Sequence, residues 1–274
     1  MLCLNLCGLL ANRSMQTGEF ASIIQRTSDS WNHEVKRIYI GSSFCQQYFM
    51  HVKYWKEIAD TCSYSSTPIT LTIPVFAENT LIEGKKLIRS ILDTYSYAID
   101  EVTVNDIGML EFIASFSRKR INMGRLFAKE PRDVRYSDFY NEMYRPAILD
   151  DGELLKTVSG IEIDCGFSRF ISRETDSNKC IGIHVPFCFV STGNICKFAS
   201  IPKEISQKFR PNDSCNMECQ RIAEVYDEKN ANALFYRIGR TIYFFNQDTL
   251  ENYSEAADRI IYFPVREVID IRGK

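Results

Sequence analysis

Three cysteines in one polar loop are the residues of this chain best placed by type and spacing to do chemistry. The segment runs Cys196-Lys-Phe-Ala-Ser-Ile-Pro-Lys-Glu-Ile-Ser-Gln-Lys-Phe-Arg-Pro-Asn-Asp-Ser-Cys215-Asn-Met-Glu-Cys219. Free cysteine ordinarily behaves as a small core residue, and a polar, proline-containing loop offers no core to fill. Zinc and iron–sulfur centres need several thiolates converging on one point, and a loop folded back on itself supplies them. Zinc sites usually take two close ligand pairs, or cysteine with histidine. Here only Cys215 and Cys219 form a close pair, and Cys196 lies nineteen residues before Cys215. Iron–sulfur clusters tolerate scattered ligands and prefer four thiolates. The spacing therefore favours a cluster held by Cys196, Cys215, Cys219 and a fourth group from elsewhere. A structural zinc and unligated thiols are the alternatives.

The chain has ten cysteines. Cys45 stands apart because it follows Gly41-Ser-Ser-Phe at the end of an apolar run, Arg37-Ile-Tyr-Ile-Gly41. Cys3 and Cys7 lie among leucines and read as core filler, as do Cys165, Cys180 and Cys188 in or beside predicted strands. Cys62 closes a predicted helix and reads as half-buried. Of the three histidines, His33 and His51 sit in polar or helix-entry surroundings and read as surface residues. His184 lies on an apolar strand, Gly182-Ile-His-Val-Pro186, as a core histidine or a residue near the site. Asn105-Asp106 ends a strand, where it would act in the site or cap the next helix. Gly124-Arg125 and the Arg132/Arg135 pair would bind an anionic substrate or form a solvated loop. There is no Gly-rich phosphate loop, His-Glu-x-x-His or Gly-x-Ser-x-Gly motif.

The elements that must position these residues alternate in type. Leu2, Leu4 and Leu6 alternate with Cys3, Asn5 and Cys7, the period-two pattern of a strand. Helical patterns over Glu19–Trp31, Lys53–Thr61, Glu78–Tyr95 and Gly108–Arg118 separate strand patterns at Arg37–Gly41, Ile69–Phe76, Glu101–Ile107 and Asn122–Ala128. Lys129–Tyr144 is irregular, with Pro131 and Pro146 as breakers. A helix at Asp150–Val158 and strands at Gly160–Cys165 and Cys180–Phe189 follow. Ala233–Arg237 and Thr241–Phe245 predict a hairpin around Ile238-Gly239-Arg240, and Arg259–Pro264 a last short strand or edge. Strands alternating with helices predict a parallel sheet covered by helices. The number of units favours an α/β fold of the TIM-barrel-like (β/α) type, incomplete or irregular. It forms a single domain over 1–274, with the barrel core at 1–190 and the cysteine loop and closing segment at 191–274. Barrel active sites lie at the C-terminal ends of the strands, so Cys45 and Cys196, each just after a predicted strand, could reach the same mouth.

Composition narrows the function classes. The chain is 45% hydrophobic and 25% charged with a net charge of −2, ordinary for a globular protein. Nothing in this balance indicates nucleic acid or an anionic membrane. No run of eighteen apolar residues predicts a membrane span. The first ten residues lack the basic n-region of a signal peptide, and the cysteine count in a core-sized chain points to a reducing cytosol.

Arg37-Ile-Tyr-Ile-Gly-Ser-Ser-Phe-Cys45 followed by Trp55-Lys-Glu-Ile-Ala59 resembles the second strand and following helix of the collagenase-like peptidase family U-thirty-two, in particular its UbiV-like branch. Val104-Asn-Asp-Ile-Gly108 is similar to the family's acidic, Gly-containing strand end, and His184-Val-Pro186 to a short His-x-Pro element. Cys196, Cys215 and Cys219 match three cluster cysteines of that branch, and Cys45 matches the fourth. The resemblance implies a TIM-barrel-like fold and a [4Fe-4S] cluster on Cys45, Cys196, Cys215 and Cys219. It also implies a role in oxygen-independent hydroxylation, as in ubiquinone biosynthesis, within a heterodimer with a homologous family member. The expected function is thus an iron–sulfur protein of a cytoplasmic hydroxylase system, acting on a small-molecule or prenylated aromatic substrate. Asn105, Asp106, Arg125 and His184 are the candidate catalytic residues. The alternatives are a collagenase-like peptidase and a non-enzymatic barrel with a structural zinc.

Overall fold

A computed structural model describes residues 1–9, 17–128, 152–165, 179–220, 222–228, 233–245, 257–265 and 270–273. Eight parallel strands close into a barrel. In chain order they are β1 (Leu2–Asn5), β2 (Val35–Gly41), β3 (Ile69–Ile73), β4 (Ile99–Val104), β5 (Arg120–Met123), β6 (Gly160–Asp164), β7 (Cys180–Val185) and β12 (Arg259–Tyr262). The last strand lies between β1 and β7 and is no edge; its Ile260 and Ile261 sit opposite Leu2 and Cys3. Helices α1 (Thr17–Trp31), α2 (Gln46–His51), α3 (Trp55–Tyr64), α4 (Glu78–Thr94), α5 (Ile107–Phe116) and α6 (Gly152–Thr157) fill connections between consecutive strands. The irregular segment expected at Lys129–Tyr144 lies outside the described residues.

The strands alternate two side-chain sets, because successive residues point to opposite faces. Leu4, Ile38, Ile40, Leu71, Val102, Ile121, Ile163 and Ile183 join one apolar cluster with Phe20, Trp55, Ile88, Met109 and Ile113 of the helices. The other set faces inward and is largely polar: Asn5, Tyr39, Thr70, Thr72, Glu101, Thr103, Asn122, Glu162, Asp164, His184 and Arg259 are all buried. Burying polar groups is costly unless each finds a partner; many of these bond to one another across the barrel, while Asn122 Oδ1 has no hydrogen-bond partner among the described residues. Glu101 accepts from Arg259 Nη2 at 2.8 Å and from the Thr70 hydroxyl at 2.9 Å. Burial pushes its carboxyl up, but the Arg259 bonds and the Arg37 charge outweigh this and hold it below the ordinary range. Arg37 pairs with Asp100 at 2.6 and 3.0 Å, which Arg120 joins at 2.8 Å.

A second sheet covers the barrel mouth, ordered β13-β9-β10-β11-β8. It comprises β8 (Phe187–Thr192), β9 (Ile222–Glu228), β10 (Ala233–Ile238), β11 (Thr241–Phe245) and β13 (Asp270–Gly273). The single strand expected over Cys180–Phe189 is two strands. Proline has no N–H to give a ladder, and at Pro186, in a cis Val185-Pro186 bond, the chain leaves the barrel for the second sheet. β10 and β11 form the expected hairpin, with Ile238 opposite Thr241 and Gly239 at φ +59° in the turn. Aromatic contacts bind this sheet to the mouth. Phe187 lies 5.9 Å and Tyr243 5.8 Å from Phe263, which follows β12. Phe44, beyond β2, lies 4.9 Å from Phe189.

Candidate functional site

Cys45 is placed by the end of β2. Gly41 has φ +108°, and a Cβ there would stand 2.2 Å from the Thr72 carbonyl oxygen, so only glycine lets β2 lie against β3 at this point. The next residue turns the chain: Ser42 Oγ accepts from the Phe44 and Cys45 amides at 3.3 and 2.8 Å. Cys45 then caps α2, its Sγ accepting from the Tyr48 amide at 3.5 Å. Cys196 arrives from β8 and opens a short helix, α7 (Lys197–Ser200). The loop beyond it is held by its own polar groups. Ser200 Oγ donates to the Cys196 carbonyl at 3.0 Å and accepts from the Phe209 amide at 3.0 Å. Lys203 reaches the Ser214 carbonyl at 2.8 Å. Phe209, Asn212 and Met217 take positive φ, reversing the chain so that Cys215 and Cys219 return toward Cys196.

Two side chains tie these segments together. Arg240, at the β10–β11 turn, donates from Nε to the Phe44 carbonyl at 2.8 Å and from Nη1 to Asn212 Oδ1 at 3.4 Å. Gln220 donates to the Gly8 carbonyl beyond β1 at 2.8 Å. Cys45, Cys196, Cys215 and Cys219 consequently line one cavity at the barrel mouth, which holds about 870 Å³ of space, part of it open solvent.

The thiols feel one another. Burial pushes Cys45 and Cys219 up and raises Cys215 to about 11, and in each case the neighbouring cysteines add to the rise. Four such groups cannot all ionise beside one another without a cationic partner, whereas a bound metal deprotonates its thiol ligands outright. The donor set therefore fits a metal centre. Among the described residues, however, no three Cys, His, Asp or Glu side chains converge closely enough for a single metal ion. A zinc ion would draw every sulfur to about 2.3 Å from one point. A multi-iron core stands between its thiolates and needs them farther apart.

The other predicted site residues separate. Arg125 lines the same cavity. It donates to Asp164 Oδ1 at 3.0 Å and the Phe187 carbonyl at 3.3 Å, with its guanidinium 5.0 Å from the Phe44 ring. Asn105 does not line the cavity. Its amide braces strand ends, donating to the Ile73 carbonyl at 3.1 Å and accepting from the Leu126 amide at 3.3 Å. Asp106 caps α5, accepting from the Met109 amide at 3.0 Å. Arg132 and Arg135 lie outside the described residues.

His184 lies inside the barrel. The Cys7 amide donates to Asn5 Oδ1 at 3.0 Å, which turns the Asn5 Nδ2 toward His184 Nδ1 at 3.4 Å. Nδ1 therefore accepts, and Nε2 carries the hydrogen donated to Glu162 Oε2 at 3.0 Å. Burial holds the imidazole well below its ordinary pKa. The same burial pushes the Glu162 carboxyl up to about 7 against the opposing Thr103 hydrogen bond.

Cys7 sits in a buried core cluster with Cys3, Tyr39 and Ile261, as expected, and also lines the cavity. Arg240, Gln220 and Tyr243 were missed. Arg240 had one signal, its place in the Gly239-Arg240 turn; Gln220 and Tyr243 had none.

No family model and no curated protein matches the chain. Among solved structures it is similar to the U32 peptidase Mk0906. The TM-score is 0.44 and the identity 10%, over 96% of this chain and 91% of that one. It is also similar to the spore cortex-lytic enzyme SleL of Bacillus megaterium QM B1551, with a TM-score of 0.43 and 8% identity, over 99% of this chain and 74% of that one. Neither likeness carries an activity to this chain.

Proposed function

We propose that this chain is an iron–sulfur protein whose Cys45, Cys196, Cys215 and Cys219 hold a [4Fe-4S] cluster at the barrel mouth. The observation that carries this reading is the meeting of the four thiols in one cavity from separate parts of the chain. A set of four thiolates drawn from separate parts of the chain is what iron–sulfur clusters prefer, which favours a cluster over the zinc alternative. When bound, such a cluster supplies one-electron chemistry at a potential set by burial and by hydrogen bonds to sulfur. The chain's own residues do the rest: Arg240 and Gln220 hold the ligand segments, the aromatic wall of Phe44, Tyr243 and Phe263 excludes water, and Arg125 presents a fixed cation to a bound group.

The wider role we assign, on the family resemblance, is that of a cytoplasmic subunit in an oxygen-independent hydroxylation system with a homologous partner. Four large apolar side chains on or beside the cysteine loop support a docking role: Ile195, Ile201, Ile205 and Phe209 are 46%, 60%, 90% and 57% exposed. The cavity's described lining carries no histidine or glutamate that would serve a peptidase as base or metal ligand.

Anaerobic purification tests the cluster. Protein carrying iron and acid-labile sulfide, with a broad visible absorbance lost in Cys215→Ala, is the expected result. Colourless protein without iron, or one zinc per chain without sulfide, overturns it. Native mass measurement on the endogenous protein tests the partner, and a lone monomer would count against it.

A further inference from the structure

A second pair of thiols lies beside this site and takes no part in it. Cys165 directly follows β6, and Cys188 lies on β8. Their Sγ atoms are 2.8 Å apart, with the residues only 2% and 1% exposed. We propose that Cys165 and Cys188 form a reversible dithiol–disulfide couple that links the barrel to the second sheet. Closing the bond shortens the sulfur separation by only ~0.8 Å, to the 2.05 Å of a disulfide. This is the smallest movement such chemistry can ask of two strands.

The position gives the couple a consequence. Asp164, next to Cys165, and Phe187, next to Cys188, are the two acceptors that hold Arg125 at the cavity. The Phe189 amide on the other side of Cys188 donates to Asp164 Oδ2 at 3.2 Å. The two thiols therefore sit within the ring of contacts that fixes Arg125, and β8 runs on to Cys196. Oxidation clamps the strand leading to Cys196 against the strand end that carries Asp164. Reduction leaves the two joined by hydrogen bonds and packing alone.

The oxidant that fits so enclosed a pair is small and uncharged, such as hydrogen peroxide. One thiol takes an oxygen from peroxide, breaking the O–O bond and releasing water as a sulfenic acid forms. The second sulfur displaces that hydroxyl, its proton leaves with it as a second water, and the S–S bond closes. Two thiols and one peroxide thus give one disulfide and two waters. A dithiol reductant reverses the step by exchange. Disulfides in a reducing compartment are usually of this transient, redox-responsive kind.

The inference is independent of the cluster, since it uses none of the four cavity cysteines. The test treats the anaerobically isolated protein with a small excess of hydrogen peroxide, then denatures it in alkylating reagent and digests it without reduction. The expected result is one cross-linked peptide joining Cys165 to Cys188, absent in Cys188→Ser and abolished by dithiothreitol. It should come with a rise in Tm on the order of 5–10 °C for a loop of this length. Recovery of Cys165 and Cys188 as separately alkylated peptides, while other thiols have oxidised, overturns the proposal. So does pairing of either one with a cavity cysteine.

Discussion

At the scale of single residues, the barrel interior is decided by which polar groups find partners. Glu162 and His184 face each other at 3.0 Å with almost no exposure. Burial disfavours the charged form of each. The Glu162 carboxyl rises to about 7 from an unfolded value of 4.5. Between these two values the native state binds a proton that the unfolded chain has released. The resulting stability is present below about 4.5 and is lost as pH rises through about 7, with a total on the order of 3 kcal/mol. His184 acts oppositely. Its imidazole stays neutral in the fold, so its contribution holds above the unfolded value of 6.5 and is lost as pH falls. Glu162→Gln separates the two. Urea unfolding from pH 5 to pH 8 should show wild-type stability falling relative to the variant as pH rises; parallel curves would show that Glu162 is ionised throughout. No sequence pattern announces this pair. His184 stands out only as a histidine on an apolar strand, and Glu162 looks like the polar position of an alternating one. Their meeting depends on β6 and β7 being neighbours, with Asp164 opposite His184 in register.

At the scale of elements, most of the barrel was legible because its strands alternate. Leu2-Cys-Leu-Asn, Ile69-Thr-Leu-Thr-Ile and Gly160-Ile-Glu-Ile-Asp carry apolar residues at every second place, and those residues form the shell beneath the helices. Where the reading failed, local pattern was the wrong guide. β7 and β8 form one β-branched and aromatic run broken only at Pro186. β9 is charged along much of its length, as expected of a strand in a small antiparallel sheet with a wet face. β12 is short enough to pass for an edge, and only barrel closure reveals it as an interior strand. Gly41 is where an element and the site meet. In Gly41→Ala the new Cβ meets the Thr72 carbonyl, and the φ of +108° becomes strained. Both effects fall on the turn that carries Cys45. The variant should lose more than about 1 kcal/mol of stability, read as a lowered Tm, and for the proposed cluster should retain less iron than wild type. A Gly41→Ala protein with unchanged Tm would mean that β2 and β3 separate at this end at no cost.

At the scale of the whole molecule, the barrel and the cysteine segment are stabilised by different things. The barrel has a continuous apolar shell and an interior of paired charges. Residues 196–219 have a single turn of α-helix, two short 3-10 turns and several exposed apolar side chains. Their order rests on the buried Phe198, Ala199 and Met217 and on a few hydrogen bonds, chiefly those of Ser200, Lys203 and Arg240. Metal binding is coupled to folding wherever a site does not preexist in the loosened chain, and segments with few buried contacts open well below the global unfolding energy. For the proposed cluster, stripping with a chelator should therefore loosen this segment and leave the barrel folded. Limited proteolysis of stripped protein with trypsin should cut first between Cys196 and Cys219, at Lys203 or Lys208, while far-ultraviolet dichroism barely changes. Arg240→Ala should shift loaded protein part-way to the same pattern by releasing Asn212 and the Phe44 carbonyl together. Simultaneous loss of the barrel signal on stripping would instead mean that the four thiolates and the eight strands fold as one cooperative unit. The spread of the four cavity cysteines along the chain would then serve to staple the barrel closed.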